Sequence, residues 1–185
     1  KISVIGSRQA SHFAISEAIK IGELLNDLGY CVVSGGALGC DIAAHIGTLL
    51  SPSMRCSACV VFAGGLSQLY PRRHHEVFER IALSGGILLS ERLWWQTSQP
   101  KDFPIRNRIV SGLSEVIVVI QAGDASGALI TADEALEQGR DVFVLQHPNT
   151  DVRSIGSHKL IDDGAMGFSS SEEFVHIIQN LAVDS

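Results

Sequence analysis

The sequence is short of positive charge. It carries 14 lysine and arginine residues against 20 aspartate and glutamate residues, which gives a formal net charge of −6 at pH 7. A protein that covers nucleic acid with a broad basic surface carries a net positive charge. This class is therefore excluded, and any anion-binding site must be confined to a small part of the surface.

The sequence also lacks a run of 18 apolar residues, which excludes a transmembrane helix. It begins directly in KISVIG, which has the pattern of a strand. The charged segment and small-residue cleavage site of a secretory signal do not precede it. We therefore expect a cytoplasmic domain that has no membrane partner and is excised from a longer chain.

Cysteine is scarce, and the four residues are Cys31, Cys40, Cys56 and Cys59. Cys56 and Cys59 form a single C-x-x-C motif, whereas a structural zinc site needs two such pairs. The motif leads into an apolar strand, in which residues three apart point to opposite faces. We therefore expect reduced, structural thiols, which suit a cytoplasmic setting.

Two further motifs are missing. A G-x-G-x-x-G fingerprint does not follow the first strand, and Ser34 stands where a dinucleotide-binding domain has an acidic ribose contact. The neighbouring histidines His74 and His75 do not share one helix face, so they do not form a metal-ligand pair. The sequence therefore predicts neither a dinucleotide cofactor nor a metal ion.

Short apolar runs alternate with amphipathic segments along the whole chain. The runs predict strands at Ile2–Ile5, Tyr30–Val33, Cys59–Ala63, Ile87–Ser90, Val116–Ile120 and Asp141–Leu145. The amphipathic segments predict helices at 11–28, 37–50, 71–83, 106–113, 126–138, 157–162 and 171–181. Continuous apolar strands are typical of a parallel sheet that helices cover on both faces. Ligands bind such α/β sheets at the carboxyl ends of the strands.

Glycine-rich turns follow the predicted strands at that edge. Ser34–Gly36 lies between the second strand and its helix, and Ser126 and Gly127 open a later helix that carries Thr131 one turn on. A strand, a glycine turn and a helix together point backbone N–H groups and the helix dipole at one place, where a phosphate can bind. The alternative is structural, namely a tight strand–helix turn in the first case and helix capping in the second.

A dense group of cations occurs at 101–108, KDFPIRNR. Arg106 and Arg108 flank Asn107, and Lys101 precedes them. Two tryptophans lie in the stretch before this group. Cations beside aromatic side chains suit a sugar–phosphate backbone with unstacked bases. The alternative is a solvated helix face with salt bridges.

Six segments occur in a fixed order that resembles a known family. They are VIGSR at 4–8, SGGALGCDIAAH at 34–45, YPRRHHEVFERI at 70–81, FPIRNRIVSGLS at 103–114, SGALITADEALEQGRDVFV at 126–144 and GSHKLIDDGA at 156–165. Together they resemble the DprA/Smf family of DNA-processing proteins over essentially the whole chain. The resemblance implies a single domain over 1–185 with an open, mainly parallel Rossmann-like sheet. It also implies single-stranded DNA binding without enzymatic activity, a homodimer, and loading of the RecA recombinase onto incoming DNA during natural transformation.

The same motifs imply the site residues. Those that match by position are Arg8, Ser34, Gly35, Gly36, Lys101, Phe103, Arg106, Asn107, Arg108, Ser126, Gly127 and Thr131. The four cations, Arg8, Lys101, Arg106 and Arg108, are expected to reach the carboxyl edge and neutralise phosphates. Backbone N–H groups are expected to contact phosphates at two helix starts. Phe103 is expected to stack a base. Replacing Arg106 by alanine is expected to remove a phosphate contact. Leu38 stands where many members have arginine, which removes one cation.

Two other functions stay open. The glycine-rich fold variant also resembles the superfamily of lysine-decarboxylase-like phosphoribohydrolases, whose PGGxGTxxE signature carries a catalytic glutamate. The corresponding stretch at 126–134 lacks PGG, although Glu134 follows Thr131 by three residues. The other alternative is a nucleotide-sensing regulatory module. Release of free base from a nucleoside monophosphate would identify the enzyme, and a preference for oligonucleotides over mononucleotides would distinguish the DNA binder from the sensor.

Overall fold

The computed structural model describes residues 1–53 and 57–183. Its helices are α1 (His12–Asp27), α2 (Cys40–Leu50), α3 (His75–Leu83), α4 (Asp102–Gly112), α5 (Gly127–Glu137), α6 (Ile155–Asp162) and α7 (Ser171–Val183). Its strands are β1 (Ile2–Ile5), β2 (Val32–Ser34), β3 (Ala58–Phe62), β4 (Ile87–Ser90), β5 (Val116–Val119), β6 (Asp141–Leu145) and β7 (Met166–Phe168). Single turns of 3₁₀ helix at Arg72–His74 and Val152–Ser154 precede α3 and α6.

Within the described residues, seven strands form one sheet in the order β4-β3-β2-β1-β5-β6-β7, and every neighbouring pair is parallel. This confirms the predicted open parallel sheet. The chain starts at the centre with β1, runs outward to β4, and then returns to the other side of β1 with β5. The carboxyl ends of β1 and β5 therefore flank the point at which the strand order reverses, where open α/β sheets bind ligands.

Different helices cover the two faces of the sheet. On one face α1, α2 and α7 pack around a core that includes Ile21 and Phe174, and α3 adds Phe78 against β3. On the other face α4, α5 and α6 pack around Val110 and Ala132. This two-sided cover explains why apolar residues occupy consecutive strand positions rather than alternate ones.

The cysteine prediction is tested only in part. Cys40 and Cys59 are buried thiols, and burial raises the pKa of the Cys59 thiol to about 11. Cys56 lies outside the described residues, so the role of the C-x-x-C motif stays a prediction. In the described part of the chain no group of three or more His, Cys, Asp or Glu side chains is arranged to hold a metal ion. None of the helices described there is both long and apolar enough to cross a membrane.

Candidate nucleic-acid interface

An open cleft of about 1360 Å³ lies at the carboxyl edge of the sheet. Its walls come from the loop after β1, the turn after β2, the loops after β3 and β4, and the starts of α4 and α5. Eight of the twelve predicted site residues line it, namely Arg8, Gly35, Phe103, Arg106, Asn107, Ser126, Gly127 and Thr131. The sequence motifs therefore converge on the point where the strand order reverses.

Arg8 enters the cleft from the loop after β1 and is exposed. Ser7 fixes this loop, because its backbone N–H donates to the carbonyl of Gln121 at 2.7 Å and its hydroxyl accepts from the backbone N–H of Gln9 at 3.1 Å. The guanidinium carbon of Arg8 lies 5.2 Å from the ring centroid of Phe103, which is within cation–π range. The cleft therefore holds an exposed cation over an aromatic ring.

Two cleft residues that were not predicted add aromatic and cationic groups, Tyr70 and Arg72. Tyr70 packs its ring edge-on against Phe103 with the centroids 6.0 Å apart, and it is 55% exposed. Arg72 follows in the same loop, is exposed, and lines the cleft with Tyr70. The signal that would have found both is YPRR at 70–73, since a loop after β3 brings its aromatic and cationic residues to the carboxyl edge.

The start of α5 is open to the cleft. The Ser126 hydroxyl caps it by accepting from the N–H of Ala128 at 3.2 Å, so the capping role is confirmed. The Thr131 hydroxyl donates to the carbonyl of Gly127 at 3.2 Å, and Asn107 reaches the same carbonyl from α4 at 3.5 Å. A Cβ at Gly127 would meet no atom within 4 Å. The space beside this helix start is therefore free for an anion.

Ser34 and Gly36 of the Ser34–Gly36 turn make their contacts within the protein. Ser34 is buried, and its hydroxyl donates to the carbonyl of Val4 at 2.6 Å. Gly36 has a φ of 64°, and a Cβ there would crowd Phe78. Of the three residues, only Gly35 lines the cleft. This turn is thus the tight strand–helix connection that the structural alternative predicted.

The guanidinium of Arg106 lies against the backbone of the fold, and its expected phosphate contact stays a prediction. The residue is only 5% exposed, and its Nη1 donates to the carbonyl of Gly35 at 2.8 Å and to the carbonyl of Val61. A Cβ at Gly35 would overlap the guanidinium, so glycine is required for this approach. Arg106 therefore joins the carboxyl ends of β2 and β3 through Nη1, and its Nε donates to the Oδ1 of Asn107 at 3.2 Å.

A buried carboxylate occupies the start of α2. Asp41 accepts from the backbone N–H of Ala37 at 3.3 Å, and the backbone of Gly6 and Gly35 also stabilises its charge. Burial nevertheless raises the pKa of the Asp41 carboxyl, and the nearby Arg106 guanidinium opposes that rise. The sequence analysis expected a phosphate at this helix start. Because Asp41 occupies this helix start, the start of α5 is the more open of the two for an anion.

Lys101 and Arg108 are not among the residues that line the cleft. Arg108 forms an ion pair with Glu91 at the surface, and Lys101 is exposed at the residue before α4. Residues two apart lie about 200° apart around a helix, so Arg106 and Arg108 cannot share a face of α4. Neither side chain lines the cleft in this structure, so a DNA contact by Lys101 or Arg108 stays a prediction.

The family model of DNA recombination-mediator protein A matches residues 1–179. The chain belongs to this family. The DNA processing protein DprA of Bacillus subtilis is 36% identical over 173 residues, which is 94% of this chain and 57% of that protein. The chain spans about half the length of the curated DprA/Smf relatives that it matches.

Solved structures of the same family share the fold. DNA processing protein A of Streptococcus pneumoniae matches with a TM-score of 0.85 and 33% identity, covering 95% of this chain and 60% of that chain. The Helicobacter pylori protein matches with a TM-score of 0.87 and 29% identity, covering 97% of this chain and 80% of that chain. The predicted resemblance and the Rossmann-like fold are thus confirmed.

Proposed function

We propose that this domain binds single-stranded DNA in the cleft. The observation that carries the proposal is the exposed Arg8 guanidinium over Phe103, in the same cleft as the open start of α5. A phosphate contacts the cation and the helix start, while unstacked bases contact Phe103 and Tyr70. A duplex offers no unstacked base, so we expect it to bind more weakly.

Two further observations support this ligand class. The structure of the Helicobacter pylori relative is described in terms of a single-stranded DNA binding mode, and the Bacillus subtilis relative is named a DNA processing protein. The net charge of −6 agrees with a ligand that enters a confined site rather than one that covers a broad surface.

Fluorescence anisotropy tests the proposal. A labelled oligothymidylate, a mixed-sequence single strand and a duplex of equal length are titrated with the protein, and a nucleoside monophosphate is added as competitor. We expect both single strands to bind with similar affinity, the duplex to bind more weakly, and the mononucleotide to compete poorly. Equal or tighter binding of the duplex would contradict the proposal, and strong competition by the mononucleotide would favour a nucleotide sensor.

We further propose that the bound strand is protected and passed to the RecA recombinase during natural transformation in the cytoplasm. Membership of the family supports this role. The test is RecA filament formation on single strands that a single-stranded DNA-binding protein already covers, with and without the domain. We expect the domain to shorten the lag before filament growth. An unchanged lag at a saturating concentration of the domain would contradict RecA loading. It would not contradict the proposal that the domain binds DNA.

We also propose that the domain forms a homodimer through the C-terminal third. Exposed apolar residues in that third support the proposal, among them Val152, Met166 and Leu181. Sedimentation at micromolar concentration is expected to give twice the monomer mass. A monomeric mass across the concentration range would contradict it.

We propose a binding protein rather than an enzyme. Glu134, which corresponds to the catalytic glutamate of the hydrolase alternative, is not among the residues that line the cleft. We expect no release of free base when nucleoside monophosphates are incubated with the domain. Release that is lost in Glu134→Gln would favour the hydrolase.

A further inference from the structure

The loop between β4 and α4 exposes two consecutive tryptophans. Trp94 and Trp95 are 62% and 69% exposed, and Leu93 before them is 61% exposed. A contiguous apolar patch of this kind on a protein surface marks an interaction site. In the described part of the chain neither indole contacts another aromatic ring.

Main-chain hydrogen bonds hold this loop in place. The carbonyl of Trp94 accepts from the backbone N–H of Ser67 at 3.0 Å and from its hydroxyl at 2.7 Å. The backbone N–H of Gly65 donates to the carbonyl of Gln96 at 2.7 Å, and a Cβ at Gly65 would overlap the carbonyls of Leu93 and Trp94. The indoles themselves are therefore not needed to fix the loop.

A second anchor closes the loop at the start of α4. Asp102 accepts from the Arg92 guanidinium at 2.7 Å and from the backbone N–H of Gln99 at 2.7 Å. Asp102 is buried, so this anchor is protected from water. The two tryptophans are presented by a backbone that is fixed before any ligand binds, which reduces the entropy cost of binding.

The loop is continuous with the cleft. Thr97 and Ser98 of the same loop line the cleft. Ser67, which donates to the carbonyl of Trp94, and its neighbour Gln68 line it too. A single-stranded DNA that fills the cleft and leaves it on the side of β3 and β4 passes this loop. Residues 96–99, Gln-Thr-Ser-Gln, add uncharged hydrogen-bonding groups beside the indoles, which suit the phosphates and base edges of a strand.

We propose that Trp94 and Trp95 form a stacking platform for the bases of a single strand that extends out of the cleft. The inference rests on the proposed function, because the cleft supplies the strand. Every base has a π-face, so the platform is independent of sequence. It lengthens the binding site beyond the residues that the family motifs supply.

The chain contains only these two tryptophans, so intrinsic tryptophan fluorescence reports on this loop alone. Oligothymidylates of about six and about 20 nucleotides are titrated, one near the lower end and one above the upper end of the site sizes of single-strand binders. Anisotropy of a labelled end measures binding, and tryptophan emission measures stacking. We expect the long strand to quench the emission strongly and the short strand to bind in the cleft with little quenching.

Substitutions give the second readout. Trp94→Ala and Trp95→Ala are each expected to weaken binding of the long strand by about five- to 150-fold, as loss of one base stack does, and to leave binding of the short strand unchanged. Trp95→Phe keeps an aromatic face and is expected to retain most of the affinity. Leu83→Ala is the matched control, because Leu83 is 81% exposed at the C-terminal end of α3, away from the carboxyl edge.

The outcomes separate this inference from the proposed function. Anisotropy could show that both oligonucleotides bind while tryptophan emission does not change and the tryptophan variants keep the parent affinity. In that case the stacking platform is wrong, and the proposal that DNA binds in the cleft is unaffected. Equal quenching by the short strand would overturn the placement of the platform outside the cleft. Emission that changes with protein concentration but not with DNA would assign the loop to contact with a second copy. If neither strand binds, the proposed function and the inference both fail.

Discussion

Arg8 and Phe103 act as one unit in the cleft. The sequence motifs identified both residues, but they did not show that the guanidinium lies over the ring at 5.2 Å. The ring face toward Arg8 is therefore covered, and Tyr70 packs edge-on against the same ring. Under the proposed function Phe103 would have two roles: it would hold the cation in the cleft, and it would add an aromatic surface for bases.

A double-mutant cycle tests this pairing. Arg8→Ala and Phe103→Ala are each expected to weaken single-strand binding, Phe103→Ala by roughly 1–3 kcal/mol through lost stacking. The double variant is expected to lose less than the sum, because Phe103→Ala already releases Arg8. Residues in contact show couplings of about 0.5–3 kcal/mol. Strictly additive losses, measured by anisotropy, would show that the two residues act separately.

Arg106 is expected to stabilise the fold more than it contributes to DNA affinity. Arg106→Ala removes a buried cation that bonds the carbonyls of Gly35 and Val61, and with it the positive charge that opposes the raised pKa of the Asp41 carboxyl. Each buried carbonyl left without its donor costs about 1–3 kcal/mol. We expect a loss of this size in the free energy of unfolding, measured with denaturant.

Arg108→Ala serves as the comparison for that measurement. Arg108 lies two residues further along α4 and pairs with Glu91 at the surface, and exposed pairs contribute about 0–1 kcal/mol. A parent-like unfolding free energy for Arg106→Ala, or an equal loss for both variants, would refute the buried role of Arg106.

Secondary structure was predictable wherever the chain has a long apolar pattern. The strands Ile2–Ile5, Ile87–Ser90 and Asp141–Leu145 were predicted with the bounds observed. β7 was missed because Met166–Phe168 contains no β-branched residue and becomes a strand only by pairing with β6. α4 begins at Asp102, earlier than predicted, because the carboxylate accepts the Gln99 N–H at its first turn. Such endpoints depend on contacts that a linear pattern does not contain.

The packing of α1 on α2 depends on glycines that the sequence analysis did not use. A Cβ at Gly22 would overlap the carbonyl of Ala44, and a Cβ at Gly47 would overlap the carbonyl of Ile19. The two helices therefore approach along their backbones. This contact positions the start of α2, and with it Asp41 beneath the cleft.

Gly47→Ala is expected to destabilise the domain. Alanine normally stabilises a helix interior by roughly 0.5–1 kcal/mol relative to glycine, but here the methyl group has no space, and overpacking costs about 1–3 kcal/mol. Gly112→Ala in α4 is the control, because its Cβ would meet only the Gln138 side chain at 3.7 Å. Thermal or denaturant unfolding measures both. A more stable Gly47→Ala would contradict the close approach of the helices.

The molecule as a whole buries polar groups beneath the cleft. His45 is fully buried, and burial lowers its pKa to about 4, with the positive charge of Arg106 acting in the same direction. Above about pH 6.5, the ordinary pKa of histidine, His45 is neutral in both the folded and the unfolded chain. Between that pH and about 4 the unfolded chain binds the proton and the folded one does not. Stability should therefore fall as the pH falls through this window.

Removing His45 should flatten this pH dependence. One proton contributes up to about 1.4 kcal/mol per pH unit. His74 and His147, whose pKa values burial also lowers, act in the same direction, while the raised pKa of Asp41 acts in the opposite one. The difference between the parent and His45→Leu isolates His45. Parallel curves of unfolding free energy against pH for the parent and His45→Leu would show that the burial of His45 does not cause the loss of stability at acidic pH.

The central claim is that single-stranded DNA binds in the cleft through Arg8. The most direct measurement is a single-strand titration across a salt series for the parent, Arg8→Ala and Arg80→Ala. Arg80 lies in the last turn of α3, away from the cleft. Each variant loses one positive charge, so the two differ only in where the charge is lost. We expect Arg8→Ala to bind more weakly and to lower the slope of log affinity against log salt by about one unit, while Arg80→Ala matches the parent. Equal behaviour of the two variants at every salt concentration would contradict the account.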